Sequence, residues 1–294
     1  MKSIDATGNF THKTALNRSS WRPGHFLARA FLLVLIMLIL SINTAYAIPK
    51  RMNAIKGTPI IDGKIDEIWS KAETIDVKTK SFTFTTYASP VTAKVKTLWD
   101  EDNLYCLAEI NDPVLSGTLG HDPWERDSIE FLVDQSMNRE EGHHFDEHGG
   151  HYRVDALEGT LSGRYEAYEL AVRNGTASAC SVVTDYGYLV EIAMPWSTLK
   201  GKVKPGVMVG FQVAINDDPG KGRRDGIVLW NGEDAWSVAH TWKLGDLRLT
   251  DENGLWDIEN PDTGDMILLY CLCALAALFI ICGQHLFRSR KRVI

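Results

Sequence analysis

An all-β fold, an antiparallel β-sandwich of jelly-roll type, is what this sequence predicts, on three observations. Short runs of alternating apolar and polar residues recur through the middle of the chain, as at 82–87 and 93–99. Turn signals rich in Asp, Asn and Gly separate them at regular spacing, and almost no stretch keeps a helical period. Both ends of the chain are apolar runs of a different kind, expected to be a signal peptide and a C-terminal transmembrane helix.

Taken in order, residues 58–61 read as a strand, Asp62-Gly63 as a turn, and residues 65–69 as a helical turn sending Trp69 inward. Residues 93–99 and 104–110 flank the polar turn Asp100-Glu101-Asp102-Asn103 as a hairpin. Asp122-Pro123 turns the chain into Trp124, and residues 128–133 form a strand rich in apolar and β-branched side chains. A loop at 138–150 precedes strands at 151–155 and 165–172. Residues 180–184 and 188–194 make a hairpin across Tyr186-Gly187, closed by a helical turn from Pro195 to Leu199. Strands at 207–216, 226–230 and 244–249, with a loop at 217–222, complete the sheets.

The ends define the domain. An apolar run at 31–42 follows Arg18, Arg22 and Arg29 and precedes the small-x-small pattern Ala45-Tyr46-Ala47. Residues 1–47 therefore read as a signal peptide with a long basic leader, or as an uncleaved N-terminal anchor. Residues 266–283 are 18 uncharged, mainly apolar residues, long enough to span a bilayer, and Arg288, Arg290, Lys291 and Arg292 follow in the tail at 284–294. The positive-inside tendency places that tail in the cytoplasm and the domain at 48–250 outside, tethered through a polar linker at 251–265. Asn260-Pro261-Asp262-Thr263-Gly264 before the apolar run also has the layout of a sortase signal, without its usual leucine. A single-pass membrane anchor is the simpler reading.

Nine of the 31 basic residues and one of the 38 acidic residues fall in the leader and tail. The middle thus carries 22 against 37, a net charge of −15. Such a surface excludes nucleic acid and anionic lipid as partners and suits a neutral ligand or bound calcium. Of five cysteines, Cys271, Cys273 and Cys282 lie in the apolar run, leaving Cys106 and Cys180 as either a bridge or two buried thiols.

No catalytic pattern is present: no Gly-x-Ser-x-Gly, no phosphate-cradling glycine loop, no Cys-x-x-Cys. The segment at 141–151 holds His143, His144, His148 and His151 among acids. It reads as a zinc or copper site, or as a solvated loop with incidental metal affinity. Trp99 and Trp196 close hairpins and Trp230 ends a strand, whereas Trp124 and Trp236 follow loop sequences and are open to a ligand. Glu130 sits between Ile129 and Phe131, so on a pleated strand it points away from both, toward water or a ligand. An exposed indole beside a fixed carboxylate suits a sugar, whose C–H face covers the ring while its hydroxyls donate to the carboxylate. The same residues also read as a core tryptophan next to a solvated run of charge.

Several motifs occur together in one order: Ile61-Asp62-Gly63-Lys64-Ile65-Asp66-Glu67-Ile68-Trp69, Leu98-Trp99-Asp100-Glu101-Asp102-Asn103-Leu104-Tyr105, Asn111-Asp112-Pro113, Trp124-Glu125-Arg126-Asp127-Ser128-Ile129-Glu130, Tyr152-Arg153-Val154, Gly187-Tyr188-Leu189-Val190-Glu191 and Gly210-Phe211-Gln212-Val213-Ala214-Ile215-Asn216-Asp217. Over 60–249 the chain resembles carbohydrate-binding module family 9. That resemblance implies a non-catalytic sandwich that holds sugar ends between two tryptophans, with structural calcium and a partner glycoside hydrolase. It assigns one stacking face to Trp124, hydrogen bonds to Glu130 and Arg153, and the second face to Trp236, with Asn231 from the same loop. The family carries a glutamine where this chain has Ala214, which removes a donor. Two other readings stay open: a haem-binding electron-transfer domain of related fold, and a surface adhesion or scaffold protein.

Overall fold

The computed structural model describes residues 49–81, 89–116, 122–196 and 203–256. The leader at 1–47, the span at 266–283, most of the linker and the tail lie outside these residues, as do the strand expected at 82–87 and residues 197–199 of the expected helical turn. No helix among the described residues is long and apolar enough to cross a membrane.

The alternation seen in the sequence becomes strands because each apolar set finds the same interior. The strands are β1 (Arg51–Lys56), β2 (Thr74–Val77), β3 (Thr79–Lys80), β4 (Thr92–Trp99), β5 (Asn103–Asn111), β6 (Ser128–Asp134) and β7 (Gly149–Asp155). They continue with β8 (Leu161–Arg164), β9 (Ser178–Thr184), β10 (Gly187–Pro195), β11 (Met208–Asp217), β12 (Gly226–Leu229) and β13 (Gly245–Thr250). One hydrogen-bonded path runs β8-β7-β6-β11-β13-β1-β4-β5-β10-β9, with β12 and β3 attached beside β11 and β2 beside β4. Ile129, Phe131, Val133, Phe211, Val213 and Ile215 from its first half share a core with Cys106, Ala108, Ile110, Tyr188, Val190 and Ile192 from its second. Each fully buried Val, Ile or Phe among them contributes about 1.5–3 kcal/mol on leaving water. The chain is all-β and sandwich-like.

Three expectations need correction, and one left open is settled. The path is not wholly antiparallel: β1 pairs parallel with both β13 and β4 and joins the two halves. The first strand is 51–56, not 58–61; small Ala54 and Met52 fill its inward positions, while Ile60 is left exposed. Residues expected as a strand at 165–172 form a helix, α1 (Glu166–Arg173). Its Glu, Ala, Leu and Arg are strong helix formers, and Ala167 and Ala171, four apart, bury one face of it. Cys106 and Cys180 are both free thiols, Cys106 within the core and Cys180 half-buried on β9.

Trp69 does pack inward, but into a second cluster with Leu98, Tyr105, Leu107 and Leu189. Its indole Nε1 donates to Glu191 Oε1 at 3.0 Å. Glu191 Oε2 accepts from the backbone N–H groups of Asp62 and Gly63 at 3.2 and 2.9 Å. Gly63 has φ +80°, and a Cβ there would lie 2.4 Å from a methyl of Val182, so only glycine fits the docked turn.

Candidate functional site

Register sets the outer face of β11, β6, β7 and β8. One row across the sheet is Ala214–Glu130–Arg153–Ser162; beside it run Asn216–Ser128–Asp155 and Gln212–Leu132–His151–Arg164. The side chains that alternate with the core residues are therefore mostly polar, and they meet one another.

Glu130 lies at the centre. It is only 3% exposed, so the open carboxylate expected from the alternation is corrected: its face is covered, and its Oε1 is taken up by neighbours. Arg153 Nε and Nη2 each approach Oε1 at 2.7 Å, and the Asn216 side-chain amide donates to the same oxygen at 2.9 Å. His151 Nε2 stands 3.1 Å from Oε2, close in distance but without hydrogen-bond alignment. Arg164 Nε donates to His151 Nδ1 at 3.3 Å, which leaves the ring proton on Nε2, toward the carboxylate. Burial opposes ionisation of Glu130, but His151, Arg153 and Asn216 overcome it and hold the carboxyl well below the usual range. Burial likewise lowers the His151 pKa. Arg224 Nη1 donates to Asn216 Oδ1 at 2.8 Å and extends the network.

Trp124 caps this network. It sits on a 3-10 turn (Pro123–Glu125), with a capping box between Asp122 and Glu125, and is 42% exposed. The Arg153 guanidinium carbon lies 5.9 Å from its ring centroid, within cation–π range. An open aromatic face is thus backed by a cation that a buried carboxylate holds in place.

Trp236 is 50% exposed on a 3-10 turn (Ala235–Val238) whose Asp234 cap accepts from the Trp236 N–H at 3.0 Å. Gln212 ties this loop to the sheet. Its Nε2 donates to Asn231 O at 2.7 Å and to Ser237 Oγ at 3.2 Å, and its Oε1 accepts from Asn231 N at 2.9 Å. Asn231 itself is turned to structural use: Oδ1 accepts from Lys50 N at 2.8 Å and Nδ2 donates to Lys243 O at 2.9 Å. Asn231, expected to face the ligand, spends one acceptor and one donor of its amide on these structural bonds. Ala214 is buried against Ile227, Leu229 and Ala235, so this position packs the base of the Trp236 turn and offers no donor.

A second polar group lies at the strand ends. Asp112, Asp127 and Asp217 are buried, with carboxylate oxygens within 4.8 Å of one another. Asp112 Oδ1 accepts from Val114 N at 3.0 Å, while its Oδ2 has no hydrogen-bond partner. Asp127 accepts from the N–H groups of Ser116 and Asp218, both at 2.7 Å, and the Ser89 hydroxyl donates to Asp217. Burial pushes Asp112 up to about 6 and Asp127 up to about 7, each raised further by the neighbouring acids. Several buried oxygens and one orphaned carboxylate oxygen fit a hard divalent cation such as calcium.

The structure brings Trp124, Glu130 and Arg153 together as expected and links Trp236 to the same sheet through Gln212. The sequence reading placed His151 only in a metal-binding loop and missed Asn216, Gln212 and Arg224 as partners in the Glu130 network and the Trp236 loop. The places of His151, Asn216 and Gln212 follow from period-two alternation in 151–155 and 208–217, which sets them on the side opposite Tyr152, Val213 and Ile215.

A β-sandwich with exposed indoles over a buried polar network belongs to the class of ligand-binding modules. The family described as "Carbohydrate family 9 binding domain-like" matches residues 61–252, and the chain belongs to it. Endo-1,4-beta-xylanase A of Thermotoga neapolitana is 38% identical over 193 residues, covering 66% of this chain and 17% of that enzyme. Exoglucanase XynX of Acetivibrio thermocellus is 36% identical over 198 residues, covering 67% of this chain and 17% of that enzyme. The chain thus spans about one sixth of the length of these relatives. Among solved structures, a carbohydrate binding module family 9 from Caldicellulosiruptor kristjanssonii in complex with glucose superposes with a TM-score of 0.60 at 25% identity, covering 72% of this chain and all of that one. The same module in complex with cellotriose gives 0.59.

Proposed function

We propose that this chain binds carbohydrate without cleaving it, at the outer face of β6, β7 and β11. The observation that carries the reading is the exposed Trp124 ring, backed by an Arg153 guanidinium that buried Glu130 fixes. A sugar ring stacks its C–H face on Trp124, and Trp236 supplies the second wall. The glucose and cellotriose complexes of the Caldicellulosiruptor module support a glucose-type ligand. The xylanase and exoglucanase relatives support a role beside a glycoside hydrolase, as the part that holds the polymer. They favour this reading over haem binding or adhesion.

Asp112, Asp127 and Asp217 would hold a calcium ion, which when bound supplies charge that pins the ends of β5 and β11 and the entry to β6. From the sequence of the flanks we also propose that residues 1–47 direct export and residues 266–283 tether the domain to the outer side of the membrane. Protease accessibility on intact cells tests that placement.

Titration with glucose, cello- and xylo-oligosaccharides, followed by tryptophan fluorescence, tests the binding reading. Saturable quenching that Trp124→Ala abolishes is the expected result. A flat response across the panel, or one that Trp124→Ala leaves unchanged, overturns it.

A further inference from the structure

The histidine-rich segment at 141–151 is docked against the Trp236 loop. His144 forms an isolated antiparallel bridge with His240, and their rings lie 4.5 Å apart between centroids at a tilt of 39°. His144 Nδ1 is 3.1 Å from the Ala239 carbonyl oxygen, and His240 Nδ1 is 2.9 Å from the Trp236 carbonyl oxygen. A carbonyl oxygen only accepts, so both protons sit on Nδ1 and both Nε2 atoms keep their lone pairs. Neither Nε2 meets a hydrogen-bond partner among the described residues, and His144 is open to solvent. Metal-binding imidazoles are prepared in this way: one nitrogen donates to a backbone carbonyl, which fixes the tautomer and ring orientation and raises the basicity of the other. Imidazole nitrogens suit zinc and its transition-metal neighbours, not the hard cation of the carboxylate cluster.

We propose that His144 and His240 form a two-histidine site for a divalent transition-metal ion of the zinc type, clasping the loop at 138–150 to the turn that carries Trp236. Water completes the coordination, since no third imidazole or carboxylate among the described residues is grouped with the pair. Because His240 also holds the Trp236 carbonyl, occupancy would order Ala235–Val238. An effect of zinc on sugar binding rests on the function proposed above; zinc binding itself does not.

The test is calorimetric titration of the full chain with zinc chloride, with calcium in excess to occupy the carboxylate cluster. His144→Asn and His240→Asn keep a donor where Nδ1 stood and remove Nε2. Each is expected to weaken zinc binding at least about tenfold, since loss of even an outer-shell partner costs about 10–100-fold. His143→Asn, which preserves the contact to Thr241, is expected to leave it unchanged. Absence of zinc binding by the wild-type chain, or equal weakening in all three variants, overturns the proposal. Hydrogen exchange on the wild-type chain needs no variant to fold. Zinc should slow amide exchange at Ala235–Val238, and no slowing there counts against the site. If zinc binds while the glycan panel stays flat, the sugar reading alone fails.

Discussion

If Trp124 binds the ligand as proposed, Glu130 and Trp124 divide one site between stability and recognition, and the division makes separable predictions. Trp124 is half open and touches the network only through its ring face, so Trp124→Ala should cost little stability, within about 1 kcal/mol. Its effect should appear as lost saccharide quenching in a protein that melts normally. Glu130 is the reverse. Glu130→Gln keeps the shape but leaves Arg153 buried without its counter-charge, a change that costs about 3–5 kcal/mol in comparable buried pairs. Denaturant unfolding would measure it. The sign with pH follows from the depressed carboxyl. The unfolded value is about 4.3, so the stabilisation is complete above that pH and fades as pH falls toward the lower folded value. The gap between wild type and Glu130→Gln should therefore hold near neutrality and narrow in acid. A gap that does not change with pH would show that the ionised carboxylate is not its source.

At the scale of the element, the decisive link is the one between β11 and the Trp236 loop. Gln212 satisfies the N–H and carbonyl of Asn231 and reaches Ser237, so Gln212→Leu would leave part-buried backbone groups unpaired, at up to about 1–3 kcal/mol. Hydrogen exchange should then rise across 231–238 while β6 and β7 stay protected. Saccharide affinity should fall although Trp124 is untouched. Protection of the loop unchanged in Gln212→Leu would refute the link. The alternation of β11 was legible in the sequence, which is why the sandwich and the polar side of the sheet could be read. What the side chains do on that side was not: Asn231 was read as ligand-facing, and its bond from Lys50, 181 residues away, has no local signature. The helix α1 was misread as one more short strand, although Glu169 interrupts any period-two alternation across 165–172. Helix propensity and the four-residue spacing of the two buried alanines decided the outcome. The parallel insertion of β1 has no local signature, since it depends on two strands distant in sequence.

At the scale of the whole molecule, the acidic balance of the middle domain acquires a specific consequence in the buried cluster. Asp112, Asp127 and Asp217 come from the end of β5, the entry to β6 and the end of β11, so repulsion among them sets three segments against one another. Burial and mutual charge raise Asp112 to about 6 and Asp127 to about 7, which shows how costly full ionisation is without a counter-ion. Calcium would remove that cost. Ligand linkage gives about 2.7 kcal/mol when the free ion stands at 100 times its dissociation constant, a rise of roughly 5–10 °C in melting temperature for a domain of this size. Scanning calorimetry with calcium, then with excess chelator, should show that difference. Asp112→Asn replaces the carboxylate whose Oδ2 has no partner. It should abolish the calcium increment while leaving the chelated protein as stable as wild type or more so, because one of three crowded charges is gone. A melting temperature indifferent to calcium and chelator in the wild-type chain would mean that the three carboxylates share a proton in place of a metal.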